Sequence, residues 1–424
     1  MNNIIIGAGL AGLAAAYANE KNSHIILESQ NEVGGLARSI RQKGFTFDYS
    51  IHMLHIRKKE VLEIIKKILP HELQEHPRKA GILIENFIVP YPFQNNLFHI
   101  KNEQIKKECV DGIVKASKNF KSNYKPINFE DWIMHSQGSG ISKYFMKPYN
   151  EKCYGVSLDK LNLDWLGRFV PQPDLNTIIE GSKIDKSKEN VGYNYKFYYS
   201  KSGGIDWLPK AFSKHINNIK LSEKVEKIDL IKKYLITNKR KYQYNKIVST
   251  IPIKKLIQKI INVPNHIIEA SEKLICNSVS TVLLGIDRAN ISDLQWLYIP
   301  DKKILPYRIS FPMNYSSKMA PPGTSSVCCE FSYFGVRKMS NEELIGRTID
   351  DLVKVNILNS KDKIIFQKVV DLKNAYVIFD RNRKNNLDII KKYLNENGIS
   401  TIGRFGNWEY SSMEDAIFQG LKIK

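Results

Sequence analysis

Gly7, Gly9 and Gly12 follow the apolar run Ile4-Ile5-Ile6, in the order Gly7-Ala8-Gly9-Leu10-Ala11-Gly12. Residues of this type at this spacing hold an anion rather than break a bond. Gly7 permits a tight bend, Gly9 lets the backbone approach a pyrophosphate, and Gly12 lets the following helix pack closely on the strand. The alanine-rich helix expected from near Leu10 and Ala11 aims its unpaired amides and the positive end of its dipole at the phosphates. Glu28 ends a second apolar strand, Ile26-Leu27-Glu28, where a carboxylate can accept from a ribose hydroxyl. A further glycine segment, Val33-Gly34-Gly35-Leu36-Ala37-Arg38-Ser39, allows another close approach and adds the Arg38 cation. That segment separates FAD from a nicotinamide dinucleotide, and the two segments together specify a bound FAD.

The remaining elements must position these residues. Gly44–Tyr49 alternates as a strand and leads into a loop with His52 and His55. Residues 59–69 have the spacing of a short amphipathic helix ending at Pro70. Two strands follow, Gly81–Ile84 and Phe87–Pro92, and residues 98–180 turn helical, with loops expected at Gly138 and Pro148. Leu221–Ile228 and Lys246–Pro252 read as strands, the second closing the nucleotide domain. Residues 278–335 hold β-rich runs joined by proline and glycine turns, which suits an antiparallel sheet. Ser400–Tyr410 reads as a strand and loop before a helix from about Met413, and its Gly403-Arg404 turn is a second anion site. The expected fold class is α/β: a Rossmann-type FAD-binding domain (1–80, 200–250 and 395–424) with an inserted helical domain (98–180) and an antiparallel β-sheet domain (81–97 and 251–394).

The 424 residues carry a formal charge of +21, mostly as lysines interleaved with Asn and Ile along the whole chain. Without a basic block rich in arginine and aromatics, this argues for solvated lysines and against a nucleic-acid partner. Attraction of a phosphorylated substrate or peripheral contact with a membrane surface is secondary. No apolar run is long enough to span a bilayer, and the apolar start lacks a basic leader, so the expected location is cytoplasmic. The five cysteines, Cys109, Cys153, Cys276, Cys328 and Cys329, are scattered without metal-ligand spacing. They read as core thiols with no metal site, Cys328 and Cys329 facing opposite sides of a strand. Nothing in the pattern excludes a homo-oligomer.

Beyond the glycine motifs come Pro90-Tyr91-Pro92-Phe93-Gln94-Asn95-Asn96, Trp165-Leu166-Gly167, Gly203-Gly204, Trp296-Leu297-Tyr298, Tyr307-Arg308 with Asn314-Tyr315-Ser316, and Gly403-Arg404-Phe405-Gly406. In this order, over nearly the whole chain, they resemble the UDP-galactopyranose mutases, a family within the amine oxidase and protoporphyrinogen oxidase-like flavoproteins. The eukaryotic-type branch is the nearest match. The resemblance implies a nucleotide-sugar substrate in a cleft beside the isoalloxazine, and a furanose donor made for a surface glycan. It implies that reduced FAD attacks the anomeric carbon through N5, displaces the nucleoside diphosphate and lets the sugar ring reclose, without net redox change.

The resemblance also implies residue roles. Arg308 is placed on the substrate phosphate and counted as catalytic, with Tyr298, Tyr376 and Tyr410 on the diphosphate. Tyr91, Gln94, Trp165 and Asn314 line the substrate site. His52, also counted as catalytic, lies against the flavin in a loop that responds to its redox state. Gly403, Arg404, Ser412 and the Met413 backbone, with Val225 and Leu36, contact the FAD. Read alone, each tyrosine is equally a packing residue, Arg308 an ion-pair partner, and His52 a hydrogen-bonded loop residue.

Three departures from the family pattern stand out. Where the family reads Leu-Gly-Glu-Arg-Val, this chain has Leu166-Gly167-Arg168-Phe169-Val170, so the substrate arginine Arg168 is one place early, a rotation of about 100° on a helix. Ser50-Ile51 replaces a glycine pair before His52, restricting the backbone. Ser412 stands where the family has Asn or Asp. The sugar and nucleotide are therefore not assigned by the resemblance. An FAD-dependent oxidoreductase of the amine oxidase or protoporphyrinogen oxidase type is the alternative, and a sugar-nucleotide-binding protein without catalysis is a third. No separate NADPH domain is evident, so NADPH as a transient reductant would share the substrate cleft.

Overall fold

In the computed structural model, Asn2–Ile6 forms the middle of a five-stranded parallel sheet, its isoleucines 4, 5 and 6 almost fully buried. The strand order is Ile399–Thr401, Lys241–Ser249, Asn2–Ile6, His24–Leu27, Ile219–Lys220. The structure describes residues 2–19, 24–118, 124–167, 170, 174–187, 189 and 194–423. Lys241–Ser249 is long enough to serve three partners. Its first half continues antiparallel to Tyr234–Thr237, which pairs in turn with Val225–Asp229.

The helix Leu10–Ala18 is buried along nearly its whole length because it is covered on two sides. A Cβ on Gly12 would lie 2.1 Å from the Gly7 carbonyl oxygen, and one on Gly420 of the helix Met413–Lys422 would lie 2.4 Å from that of Ala11. Only small residues admit sheet and second helix this closely.

The second large sheet runs Ile364–Leu372, Ser278–Ile286, Ser325–Tyr333, Arg308–Ser310, Trp296–Tyr298, Ala80–Ile84, Phe87–Pro90. It is mixed rather than purely antiparallel, because Trp296–Tyr298 pairs parallel to Ala80–Ile82. These two strands come from chain segments more than two hundred residues apart, so no hairpin imposes their direction. Cys328 packs with Phe45, Phe47, Leu283 and Phe366, whereas Cys329 packs on the other face with Val282, Leu284 and Ile309, as alternation requires.

The helical segment comprises Glu103–Lys118, which packs on Phe129–Ile141, and Lys147–Tyr154, which packs on the strand Ser325–Tyr333. Gly138, with φ 76°, kinks the second of these helices where a Cβ would come 2.4 Å from the Gly112 backbone. Pro148 makes no loop. It sits in the first turn of Lys147–Tyr154, where a missing amide hydrogen costs nothing, after a π-helical turn at Ser142–Met146. The strand expected over 221–228 begins only at Val225, as Val225–Asp229, because a turn at Ser222, whose φ is 50°, separates it from the short strand Ile219–Lys220. Gly403–Gly406 is a short helix rather than a loop. Among the described residues no helix is long and apolar enough to cross a membrane.

Phe45–Asp48 is buried at every position, including the carboxylate of Asp48. Asp48 accepts from Tyr199 Oη at 2.5 Å, Ser39 Oγ at 2.7 Å and the Ile205 amide at 2.9 Å. Burial raises its pKa to about 6, with Asp206, itself paired with Arg41 and Lys210, adding to the rise. A carboxyl raised in the folded state stabilises the fold below its unfolded pKa and loses that contribution as pH rises toward 6. Asp48→Asn is therefore expected to gain stability relative to the parent between pH 4 and pH 7, by up to about 3 kcal/mol at about 1.4 kcal/mol per pKa unit. Urea unfolding at both pH values measures this, and a pH-independent difference would contradict it.

Candidate active site

The two glycine segments lie side by side at the start of the first helix. Gly7, with φ 103°, donates its amide to Leu27 O at 2.9 Å, and the Gly34 amide donates to Ala8 O at 2.8 Å. A Cβ on Gly35 would be 3.3 Å from the Gly9 Cα. Gly9 caps Leu10–Ala18 without any side-chain bond, and the first turn holds no acid, so the amides of Leu10 and Ala11 are left for an anion.

The Glu28 carboxylate accepts from the Ala8 amide at 2.7 Å and the Gln30 amide at 2.9 Å, which fixes it beside the glycine turn. The Glu28 carbonyl accepts from the Glu223 amide at 2.7 Å, bringing the buried Val225 to the same edge. Arg38 folds back on its own segment, donating Nε to Gly35 O at 2.8 Å, pairing with Glu32 and lying over the Tyr49 ring. Leu36 is partly buried beside it.

Gly403 reaches the same helix start from the opposite end of the chain. Its φ is 77°, and a Cβ there would be 2.9 Å from Ala11 Cβ. Arg404 donates Nη1 to Ser411 O and Nη2 to Ala375 O, while its Nε is buried without a partner. Ser412 is the N-cap of Met413–Lys422 in a capping box with Asp415, so its hydroxyl is spent on the helix. An uncapped helix start, backbone approach without Cβ atoms and an orphaned arginine Nε fit the diphosphate of a dinucleotide cofactor.

Five of the expected substrate residues belong to one continuous chain of aromatic contacts. Tyr91 meets Tyr298 at 5.3 Å, Tyr298 meets Tyr149 at 5.0 Å, Tyr149 meets Tyr307 at 6.3 Å and Tyr307 meets Tyr376 at 6.5 Å, all between ring centroids. Tyr376 stacks on Tyr410 at 6.4 Å, and Tyr410 reaches Trp165 at 6.0 Å. Arg308 lies 5.7 Å from the Tyr307 ring, and Arg404 lies 5.1 Å from Tyr410 and 5.5 Å from Tyr376. Two guanidinium groups thus flank one cluster of tyrosines. Burial raises Tyr91, Tyr298, Tyr376 and Tyr410 above the ordinary phenol range, so their hydroxyls stay protonated and able to donate to an anion.

Arg308 has a partner that the motifs do not disclose. Tyr298, Arg308 and Glu330 are register partners across three adjacent strands. Arg308 Nε and Nη2 both donate to Glu330 Oε2 at 2.5 Å, with Glu330 fully buried. Burial alone would raise the Glu330 carboxyl, but Arg308, the Ser50 hydroxyl and the Ile51 amide outweigh it and hold the group below its ordinary value. The signal was present in sequence as a lone acid within Val327–Phe331, an otherwise apolar strand.

His52 keeps some open surface but is hemmed in by protein, and burial pushes its imidazole below the ordinary range, aided by Arg404 and Arg308. Its Nδ1 lies 2.9 Å from the Ser50 carbonyl, to which it donates. The imidazole is therefore neutral at neutral pH.

Lys152 is a second unforeseen element. Its Nζ lies 2.7–2.8 Å from the carbonyl oxygens of Ile299, Asp301, Ile304 and Pro306, which share its three N–H donors, and so holds the loop between the Tyr298 and Arg308 strands. Lys152→Met would strip these carbonyls of their donor. The expected loss is about 2–4 kcal/mol of stability with weakened anion binding in the cleft, read by thermal melts and nucleotide titration. An unchanged melting temperature would contradict this role.

Other expected residues stand differently. Gln94 is buried in the turn Phe93–Asn95, and Trp165 donates Nε1 to Asn162 O at 3.1 Å while keeping its ring against Tyr410. The Asn314 amide donates to the carbonyls of Ser292 and Leu294, bracing a loop. Arg168 and Phe169 lie outside the described residues. Among the described residues there is no group of acids, histidines and cysteines able to hold a metal ion.

Known proteins share this fold. The fold superposes on a crystal structure of reduced UDP-galactopyranose mutase with TM-score 0.92 at 24% identity, covering 99% of this chain and 94% of that one. A putative protoporphyrinogen oxidase from Exiguobacterium sp. 255-15 matches with TM-score 0.77 at 16% identity, covering 99% and 96%. An L-amino-acid oxidase of Crotalus adamanteus is 26% identical over 226 residues, 49% of this chain but only 40% of the oxidase's length. The model of the flavin containing amine oxidoreductases matches residues 10–377, and the chain belongs to that family of flavoproteins.

Proposed function

We propose that the protein is an FAD-dependent mutase that interconverts the pyranose and furanose forms of a nucleotide-diphosphate sugar, UDP-galactopyranose or a close relative, for surface glycan synthesis. The observation that carries this reading is the Arg308 guanidinium, set by Glu330 among tyrosines whose hydroxyls stay protonated. Reduced FAD, when bound, supplies the nucleophile for the anomeric carbon. The chain's own residues must hold a diphosphate that leaves and later returns. Arg308 places positive charge on it, and the hydroxyls of Tyr298, Tyr376 and Tyr410 donate to its oxygens. Tyr91, Gln94 and Trp165 form the wall for the base and ribose. His52, neutral, offers a hydrogen bond at the flavin without adding charge. NADPH as a transient reductant and a cytoplasmic location belong to the same proposal.

An oxidase of amines has no use for a diphosphate clamp, although the amine-oxidoreductase match keeps that reading in view. The two are separated by incubating dithionite-reduced protein with a panel of nucleotide sugars and cyanoborohydride. The expected result is flavin bearing the mass of one sugar. Flavin of unchanged mass throughout, in protein that oxidises amines or amino acids, would overturn the proposal.

A further inference from the structure

The replacement of a glycine pair by Ser50-Ile51 has a structural outcome that the proposed reaction does not use. Ser50 Oγ donates to Glu330 Oε1 at 2.5 Å, and the Ile51 amide donates to the same oxygen at 3.1 Å. The other oxygen of that carboxylate takes both contacts from Arg308. Glu330 thus divides its two oxygens between the histidine loop and the anion-binding arginine. Because Glu330 is fully buried, water cannot replace a bond that either side gives up. The Ser50 carbonyl in turn holds His52 Nδ1. One short path of hydrogen bonds therefore runs from the guanidinium through Glu330 and Ser50 to the imidazole, and a glycine at position 50 could not supply its side-chain link.

Arg308 reaches the cleft with about a sixth of its side chain open. An anion arriving there competes with Glu330 for the guanidinium's charge and position. Glu330 is held on its far side by Ser50 and Ile51, so the strain passes to the backbone around His52. Resting on the proposed placement of a diphosphate at Arg308 and the flavin beside His52, we propose that Ser50 is a positioning residue that couples occupancy of the anion site to the flavin's surroundings.

The test uses FAD-loaded protein titrated with UDP and, separately, with inorganic pyrophosphate, following the flavin's visible difference spectrum. In Ser50→Ala the UDP Kd is expected to stay within about threefold of the parent, while the spectral amplitude falls several-fold. Ser50→Thr, which keeps the hydroxyl, is expected to restore it. The ratio of UDP affinities for oxidised and reduced protein is expected to fall toward one in Ser50→Ala. A tenfold ratio corresponds to about 30 mV in a two-electron potential, so potentiometry with and without UDP gives a second reading.

Full amplitude and an unchanged ratio in Ser50→Ala would overturn the coupling. So would outright loss of UDP binding in that variant, which would show that the hydroxyl only builds the arginine site. If the parent binds pyrophosphate with a flavin response but not UDP, the nucleotide reading fails and the coupling stands. If it binds neither anion, both fall.

Discussion

Arg308→Ala is expected to lower kcat/KM on the nucleotide sugar by about a thousandfold or more, about 4 kcal/mol of transition-state stabilisation. It is also expected to destabilise the fold by about 3–5 kcal/mol, because Glu330 would remain buried without its cation. These effects have different origins and separate in the double variant Arg308→Ala/Glu330→Gln. Neutralising the carboxyl should recover most of the lost stability and none of the activity. Arg308→Lys retains charge but cannot offer both Nε and Nη2 to Glu330 while facing a phosphate, so it should keep the fold better than the activity. Urea unfolding and steady-state kinetics on the same preparations read both. Activity within tenfold of the parent in Arg308→Ala would remove this residue from the substrate site.

Gly9→Ala is expected to give a folded protein that has lost its flavin. The Gly9 backbone, at φ −74° and ψ 175°, suits any residue, and a Cβ there meets nothing nearer than the Gly35 Cα at 3.9 Å. If FAD binds as proposed, that Cβ stands where its pyrophosphate approaches the backbone, and FAD affinity should fall at least a hundredfold, about 3 kcal/mol. Gly12→Ala should behave in the opposite way. Its Cβ would lie 2.1 Å from the Gly7 carbonyl oxygen, both on rigid elements, and the protein should fail to accumulate in folded form. Circular dichroism with the ratio of flavin to protein absorbance distinguishes the two, and a Gly9→Ala protein purified with stoichiometric flavin would refute the cradle.

Gly7 and Gly12 were legible in sequence because each requirement is local: a positive φ at Gly7 and close contact at Gly12. The aromatic residues were legible as types, but their contacts were not, since Tyr91, Tyr298 and Tyr376 are linked, through Tyr149 and Tyr307, only after four distant segments come together. Glu330 escaped notice because its meaning depends on strand register, which sets it opposite Arg308. Lys152 escaped for a similar reason, its four acceptors lying about one hundred and fifty residues further along the chain. Pro148 was misread because proline stops a helix from within but not from its first turn. The mixed sheet was missed because hairpin reasoning extends only to neighbours in sequence. Ser50 shows the division most clearly: its departure from glycine is visible in the sequence, and its partner only in the fold.

The central claim is that this flavoprotein isomerises a sugar without consuming reductant. Its most direct test is anaerobic incubation of dithionite-reduced and of oxidised protein with UDP-galactopyranose and related nucleotide sugars, with products separated by chromatography and the flavin spectrum recorded throughout. The reduced protein should give a furanose product over many turnovers with its flavin staying reduced, and the oxidised protein none. Flavin reoxidised in proportion to substrate consumed, with no furanose formed, would contradict it.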